Sequence, residues 1–165
     1  MPSKTYSGKL FRSILFAGLL AGALDATAAI IDFSIESGKN PIIIFVYIAS
    51  GVFGKQAFQG SQSIAIFGLL FHFLFAIIFS AFYFLIYPGM KFLHRNKVIS
   101  AIIYGIFVWL VMNLGVVPLT ITHAITFHFT KALLAASILI VCIGLPISFT
   151  ATSFYQKNPL PNKIL

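Results

Sequence analysis

Charged residues are scarce in this sequence, and acidic ones are the scarcest. They make up 8% of the 165 residues, and only Asp25, Asp32 and Glu36 are acidic. A soluble domain of this size needs a polar surface, which so few charges cannot supply. The 59% of hydrophobic residues also occur in long runs rather than in stripes. Together these features predict an integral membrane protein whose main partner is the lipid bilayer.

Cysteine and the common catalytic motifs are almost absent. Cys142 stands alone, which excludes an internal disulfide. The chain contains no G-x-x-x-x-G-K-[ST], H-E-x-x-H, G-x-S-x-G or C-x-x-C motif. His123 and His128 are five residues apart, a spacing that does not place them on one helix face. We therefore predict no cofactor and no metal site, and enzyme activity is disfavoured without being excluded.

Basic residues give the chain a formal net charge of +8. In a soluble protein this excess would suggest nucleic acid as a partner. Here the Lys and Arg residues flank apolar runs, as residues that orient membrane spans do. No nucleic-acid partner is predicted.

The apolar runs predict an all-α fold, a polytopic transmembrane bundle of four helices. A single transmembrane domain over 10–155 follows a cytoplasmic N-terminus over 1–9 and precedes a flexible cytoplasmic tail over 156–165. The predicted spans are 10–33, 64–87, 98–117 and 132–153, the last kinked near Pro146. The first run also fits a signal peptide cleaved after Ala28, but its apolar residues continue past that point.

A shorter apolar run, 42–53, lies between the first and second spans. A helix of this length reaches only ~18 Å, too short for the hydrocarbon core of about 30 Å. It follows a turn cluster ending in Pro41 and precedes a glycine-bracketed connection that begins at Gly54. We predict a re-entrant or interfacial helix, or one that packs over the bundle.

The distribution of Lys and Arg predicts the orientation. Eight of the 11 lie on the side of the membrane that carries both termini, among them Arg12, Lys91, Arg95 and Lys97. Only Lys39, Lys55 and Lys131 lie on the opposite side. This bias predicts that both termini are cytoplasmic.

All three acidic residues fall on one face of the first span. Asp32 and Glu36 follow Asp25 by seven and eleven residues, which places each within about 20° of it on a regular helix. An ionised carboxylate is costly in hydrocarbon, so Asp25 should face protein or water. We predict either a proton or ion site at Asp25 with an acidic outer path along Asp32 and Glu36, or an Asp that ties helices together.

His72 and Asn113 are the other polar candidates within the spans. Antiparallel packing of the first two spans would place His72 and Asp25 at a similar depth, ~12 Å below the surface. The two could form a charge pair or a proton relay, or His72 could be a neutral histidine bonded to a carbonyl. Asn113 is expected to cap or bridge helices, and Trp109 to fill the core or line a cavity.

Gly18 and Gly22 form a G-x-x-x-G pattern beside Ala17 and Ala21. Small residues at this spacing let helix backbones approach closely. The pattern predicts close helix packing better than it predicts association of two chains, although a homodimer is a possible partner arrangement.

Four stretches resemble a family of small bacterial inner-membrane proteins of the Bacteroidota type: LFAGLLAGALDATAAI, IASGVFGKQAFQG, YGIFVWLVMNLGVVPL and VCIGLPISF. The early small-residue helix with its acid is also distantly similar to YagU-like proteins. The resemblance implies an uncleaved protein of the bacterial inner membrane and carries no established activity. The small multidrug transporters offer only an analogy of architecture, with four spans and an acid in the first.

Three functions remain open from the sequence. The leading one is a small transporter or proton- or ion-coupled permease centred on Asp25 and His72, with an unknown small-molecule or ion substrate. The second is a non-catalytic membrane scaffold or accessory subunit. The third, an intramembrane lipid-modifying enzyme, requires a polar cavity near Asp25, His72 or Asn113.

Overall fold

The computed structural model describes residues 4–59, 63–119 and 129–159, and these are almost all helical and include no strand. Four helical segments are long and apolar enough to cross a membrane: Tyr6–Ser37, Ile64–Gly89, Lys97–Val116 and Phe129–Lys157. A shorter apolar segment, Ile42–Phe58, lies between the first two. The predicted fold class is therefore confirmed. His123, His128 and Lys163 lie outside the described residues.

Seven α-helices lie within the described residues. Their bounds are α1 (Lys4–Ser37), α2 (Ile42–Phe53), α3 (Ile64–Ile86), α4 (Lys91–Arg95), α5 (Lys97–Val111), α6 (Phe129–Leu139) and α7 (Leu145–Lys157). The helix α1 begins earlier than the predicted span and runs unbroken through the suggested cleavage region. Lys9 and Arg12 can occupy this first part because their long apolar stems let the charges reach the membrane surface.

Local sequence explains where several helices begin and end. Gly38 and Gly54 adopt φ of 61°, a backbone conformation that side chains disfavour, and they close α1 and α2. Asn96 caps α5, since its side-chain oxygen accepts hydrogen bonds from the backbone N–H groups of Val98 and Ile99 at 2.8 and 3.2 Å.

Two π-helical turns interrupt the third and fourth spans, at Met112–Val116 and Ile140–Gly144. The second stands directly before Pro146, where a kink is predicted from sequence. Proline lacks an N–H group and collides with the carbonyl four residues earlier, so a wider turn relieves the helix there. Such π turns are frequent at functional sites.

The G-x-x-x-G surface of α1 packs against α3 within the same chain. A Cβ on Gly18 would stand 2.7 Å from the Cα of Ile77, and one on Gly22 would stand 2.9 Å from the Phe73 ring. Gly68, on the other side of α3, lies against the backbone carbonyl of Phe45 in α2. Small residues therefore bring α1 and α2 onto opposite faces of α3.

The densest packing lies in the half of the bundle nearest the termini, which we call the terminal side. Tyr83, Phe84, Val108 and Ile147 are almost wholly buried there. The ring of Tyr83 meets that of Tyr104 edge to face, with centroids 4.6 Å apart. Tyr6 near the start of α1 contacts Phe154 near the end of α7, so both ends of the described chain lie on this side.

Candidate functional site

The acidic face of α1 lines a cavity in the half of the bundle opposite the termini. The cavity has a volume of about 520 Å³, and Asp25, Asp32 and Glu36 all line it. Because α1 stays regular to Ser37, the three carboxylates keep the spacing that the sequence predicts. We call this space the acidic cavity.

The remaining walls come from the third and fourth spans. Trp109 and Asn113 line the cavity from the third span, and its other side is formed by α6 residues, namely Lys131, Leu134, Ala135, Ile138 and Leu139. The lining is apolar apart from the three acids, Trp109, Asn113 and Lys131. It therefore combines an apolar wall with a few convergent polar groups, which is the usual composition of a ligand pocket.

Asp25 and His72 lie together where α1 packs against α3. The Nε2 atom of His72 is 3.9 Å from Oδ2 of Asp25, and their side chains are only 13% and 17% exposed. At this distance the two interact through their charges when both are ionised, without a direct hydrogen bond. The sequence suggested this proximity only because the two residues lie at a similar depth. In the structure it arises because Gly18 and Gly22 let α1 approach α3 closely.

His72 also bonds to the backbone of α1. Its Nε2 lies 2.9 Å from the carbonyl oxygen of Gly22. A carbonyl oxygen can only accept, so Nε2 carries a proton and donates it. The rings of Phe45 and Phe73 stand edge-on to the imidazole, with centroids 6.4 and 5.6 Å away. This contact with Gly22 holds the ring beside Asp25 and is the bond to a carbonyl that was one of the alternatives for His72.

Asn113 and Trp109 are linked within their own helix. The Nδ2 group of Asn113 donates a 2.9 Å hydrogen bond to the carbonyl oxygen of Trp109. This bond lies within one helix, whereas the sequence leads us to expect that Asn113 caps or bridges helices. The indole Nε1 of Trp109 is buried and has no hydrogen-bond partner among the described residues. A buried donor without a partner is rare and costly, and here it belongs to a residue that lines the acidic cavity.

Lys131 is the site residue that sequence reasoning missed. Its Nζ donates to Oε1 of Glu36 and joins α6 to α1. Both side chains are more than half exposed, so the pair lies at the outer end of the acidic cavity. A signal was present in the sequence, because Lys131 opens the fourth span on the same membrane side as Glu36. The pairing of Lys131 with Glu36 could not be predicted, because the sequence does not show that the first and fourth spans are neighbours.

Within the described segments, no group of three or more His, Cys, Asp or Glu side chains is arranged to hold a metal ion. The three acids are spread along α1, with Asp25 next to His72 and Glu36 next to Lys131. The three carboxyl groups therefore follow one another along the cavity wall, from exposed Glu36 to the largely buried pair of Asp25 and His72. Comparison of the chain with protein families, with curated proteins and with solved structures found no match.

Proposed function

We propose that this membrane protein is a small permease for a cation, coupled to protons, with Asp25 and His72 as its central site. The observation that carries the proposal is the acidic cavity, which holds every carboxylate of the chain's side chains and extends to Asp25. Intramembrane acids are expensive in lipid and typically mark ion pathways.

The charges of the acidic cavity favour a cationic substrate. Three carboxylates face a single lysine, and that lysine pairs with the outermost acid, Glu36. Asp25 and Asp32 therefore lie deeper along the wall with no lysine beside them among the cavity residues. Trp109, whose aromatic ring can attract a cation, also lines the cavity.

The pair at the inner end suits proton coupling. A cation that binds beside Asp25 favours the ionised carboxylate, and a proton on either Asp25 or His72 weakens that binding. Since the two groups lie 3.9 Å apart, loading one with a proton changes the charge felt by the other. Competition of this kind is sufficient to link proton release to cation uptake.

Close packing separates this site from the terminal side. Ala21 and Ala17, one and two turns before Asp25 on α1, are fully buried. Below them Ser80 donates to the carbonyl oxygen of Ile14, and Tyr104 donates to that of Phe79. In this proposal the cavity is open on the side opposite the termini, and transport requires the packing on the terminal side to loosen.

We further propose that the protein lies in the bacterial inner membrane with both termini in the cytoplasm. The support is the excess of Lys and Arg on the terminal side, together with the sequence resemblance described above. The acidic cavity would then open toward the outside of the cell.

Flux in liposomes tests the function. The full chain is reconstituted with a trapped pH dye, and proton movement is followed after adding sodium, potassium or small organic ammonium ions outside. We expect cation-dependent proton flux that Asp25→Asn abolishes. The matched variant Asp32→Asn removes a charge from the same face without touching the pair, and it should retain measurable flux. Undiminished flux in a folded Asp25→Asn protein, or none in the wild type with any of these cations, refutes the proposal.

A further inference from the structure

A second cavity lies on the terminal side, away from the acidic one. Its volume is about 690 Å³, and it lies between the start of α5 and the second half of α7, with Phe16 of α1 at its edge. Arg95, Lys97, Thr150 and Ser153 are among the residues that line it. We call it the basic cavity.

No acidic side chain is among the described residues that line the basic cavity. Arg95 and Lys97 both line it, whereas all three acidic side chains line the cavity in the other half of the bundle. The Lys97 ammonium group stands 4.3 Å from the centre of the Phe149 ring. This cation–π contact holds the exposed lysine beside the cavity wall.

Neutral donors and apolar walls complete the basic cavity. The hydroxyl groups of Thr150 and Ser153 and the amide of Gln156 can donate hydrogen bonds, while Phe16 and Phe149 offer exposed rings beside them. Lys97 is the first residue of the third span, and the fourth span ends at Lys157. The cavity therefore lies at the depth of the lipid headgroups, where cations and aromatic rings meet both phosphate and acyl chains.

We propose that the basic cavity binds the phosphate of an anionic phospholipid. The guanidinium group of Arg95 matches phosphate oxygens with two donors, and Lys97 supplies a second cation. The Phe16 and Phe149 rings contact the upper acyl chains. Basic pockets between transmembrane helices are suited to such headgroups. This site is independent of the permease function proposed for the acidic cavity.

Native mass spectrometry of the full chain in detergent tests the proposal. Micelles are supplied with dioleoyl phosphatidylglycerol or dioleoyl phosphatidylcholine, and the bound lipid is counted. The wild type should retain phosphatidylglycerol preferentially. Arg95→Gln and Lys97→Gln should each weaken this binding about fivefold, the effect of roughly one basic residue at an anionic surface.

Two matched variants distinguish specific lipid binding in the basic cavity from general attraction by basic residues at the membrane surface. Arg12→Gln and Lys91→Gln remove the same charges from the same side of the membrane, but neither residue lines the basic cavity. Both should keep the phosphatidylglycerol preference, and Arg95→Lys should keep most of it. Equal weakening by all four glutamine variants overturns the proposal, as does equal retention of the two lipids. Displacement of the lipid by glycerol phosphate at the same concentration would assign the cavity to a free phosphate instead.

Discussion

His72 on α3 reaches Asp25 on α1 and places its Nε2 3.9 Å from Oδ2 of the carboxyl group. The same nitrogen donates to the carbonyl oxygen of Gly22, one turn before Asp25. This backbone bond anchors the imidazole beside the carboxyl group. This relationship depends on the glycine-mediated contact between the two helices.

Replacing His72 by glutamine tests what the imidazole adds beyond that backbone bond. His72→Gln retains a side-chain N–H that can bond to the Gly22 carbonyl oxygen, but it cannot change charge. We expect the variant to fold and to lose cation-driven proton flux, because a neutral amide cannot take up a proton beside Asp25. The measurement is flux in liposomes. Flux equal to that of the wild type would contradict a role for His72 in coupling.

Gly18→Ala tests the packing of α1 on α3. The new Cβ would stand 2.7 Å from the Cα of Ile77, and a backbone atom cannot swing aside as a side-chain end can. We expect a loss of about 1–3 kcal/mol in the free energy of unfolding, as for other overpacked sites. Denaturation in detergent, followed by circular dichroism, measures it.

Gly8 provides the control for that substitution. A Cβ there meets nothing within 4 Å, although Gly8 belongs to the same helix. Gly8→Ala should leave the free energy of unfolding unchanged or raise it by up to about 1 kcal/mol through helix propensity. Equal effects of the two substitutions would show that contact with Ile77 is not what Gly18 provides.

The ion pair between Glu36 and Lys131 should contribute little to stability. Both side chains are more than half exposed, and exposed pairs are typically worth 0–1 kcal/mol. Lys131→Met should therefore change the free energy of unfolding by less than about 1 kcal/mol.

If the pair of Glu36 and Lys131 lies at the mouth of the permeation path, a covalent link at the same place should block flux. Glu36→Cys with Lys131→Cys, in a Cys142→Ala background, should become inactive on oxidation and recover on reduction. Continued flux through the cross-linked protein would place the path elsewhere.

Accessibility of the acidic cavity to water can be measured with a single introduced cysteine. Ala29 lines the cavity between Asp25 and Asp32. In a Cys142→Ala background, Ala29→Cys should react with a charged, membrane-impermeant thiol reagent added on the side opposite the termini. Ala101→Cys, at a fully buried position, should not react. Labelling of Ala29→Cys only from the terminal side would reverse the direction of opening.

Much of the fold was predictable because membrane spans are determined by local composition. Long apolar runs predicted the four crossing helices, and the short run over 42–53 predicted α2. Helical periodicity was also enough to place Asp25, Asp32 and Glu36 on one face. Rotation of the helices about their axes was not predictable, because apolar residues surround each span. Trp109 could therefore fill the core or line a cavity from sequence alone, and the structure places it on the cavity wall.

The amino-acid sequence by itself determined that the chain must lie in a membrane, where its spans run and that its acids share a helix face. These properties follow from hydrophobic length and from the helical repeat, which need no knowledge of neighbours. Tertiary structure alone decided that His72 meets Asp25, that Lys131 meets Glu36 and that Arg95 and Lys97 border one cavity. The reason is physical: contacts between helices depend on which faces can approach closely, and that is settled by small residues such as Gly18 and Gly22 meeting their partners in the folded bundle.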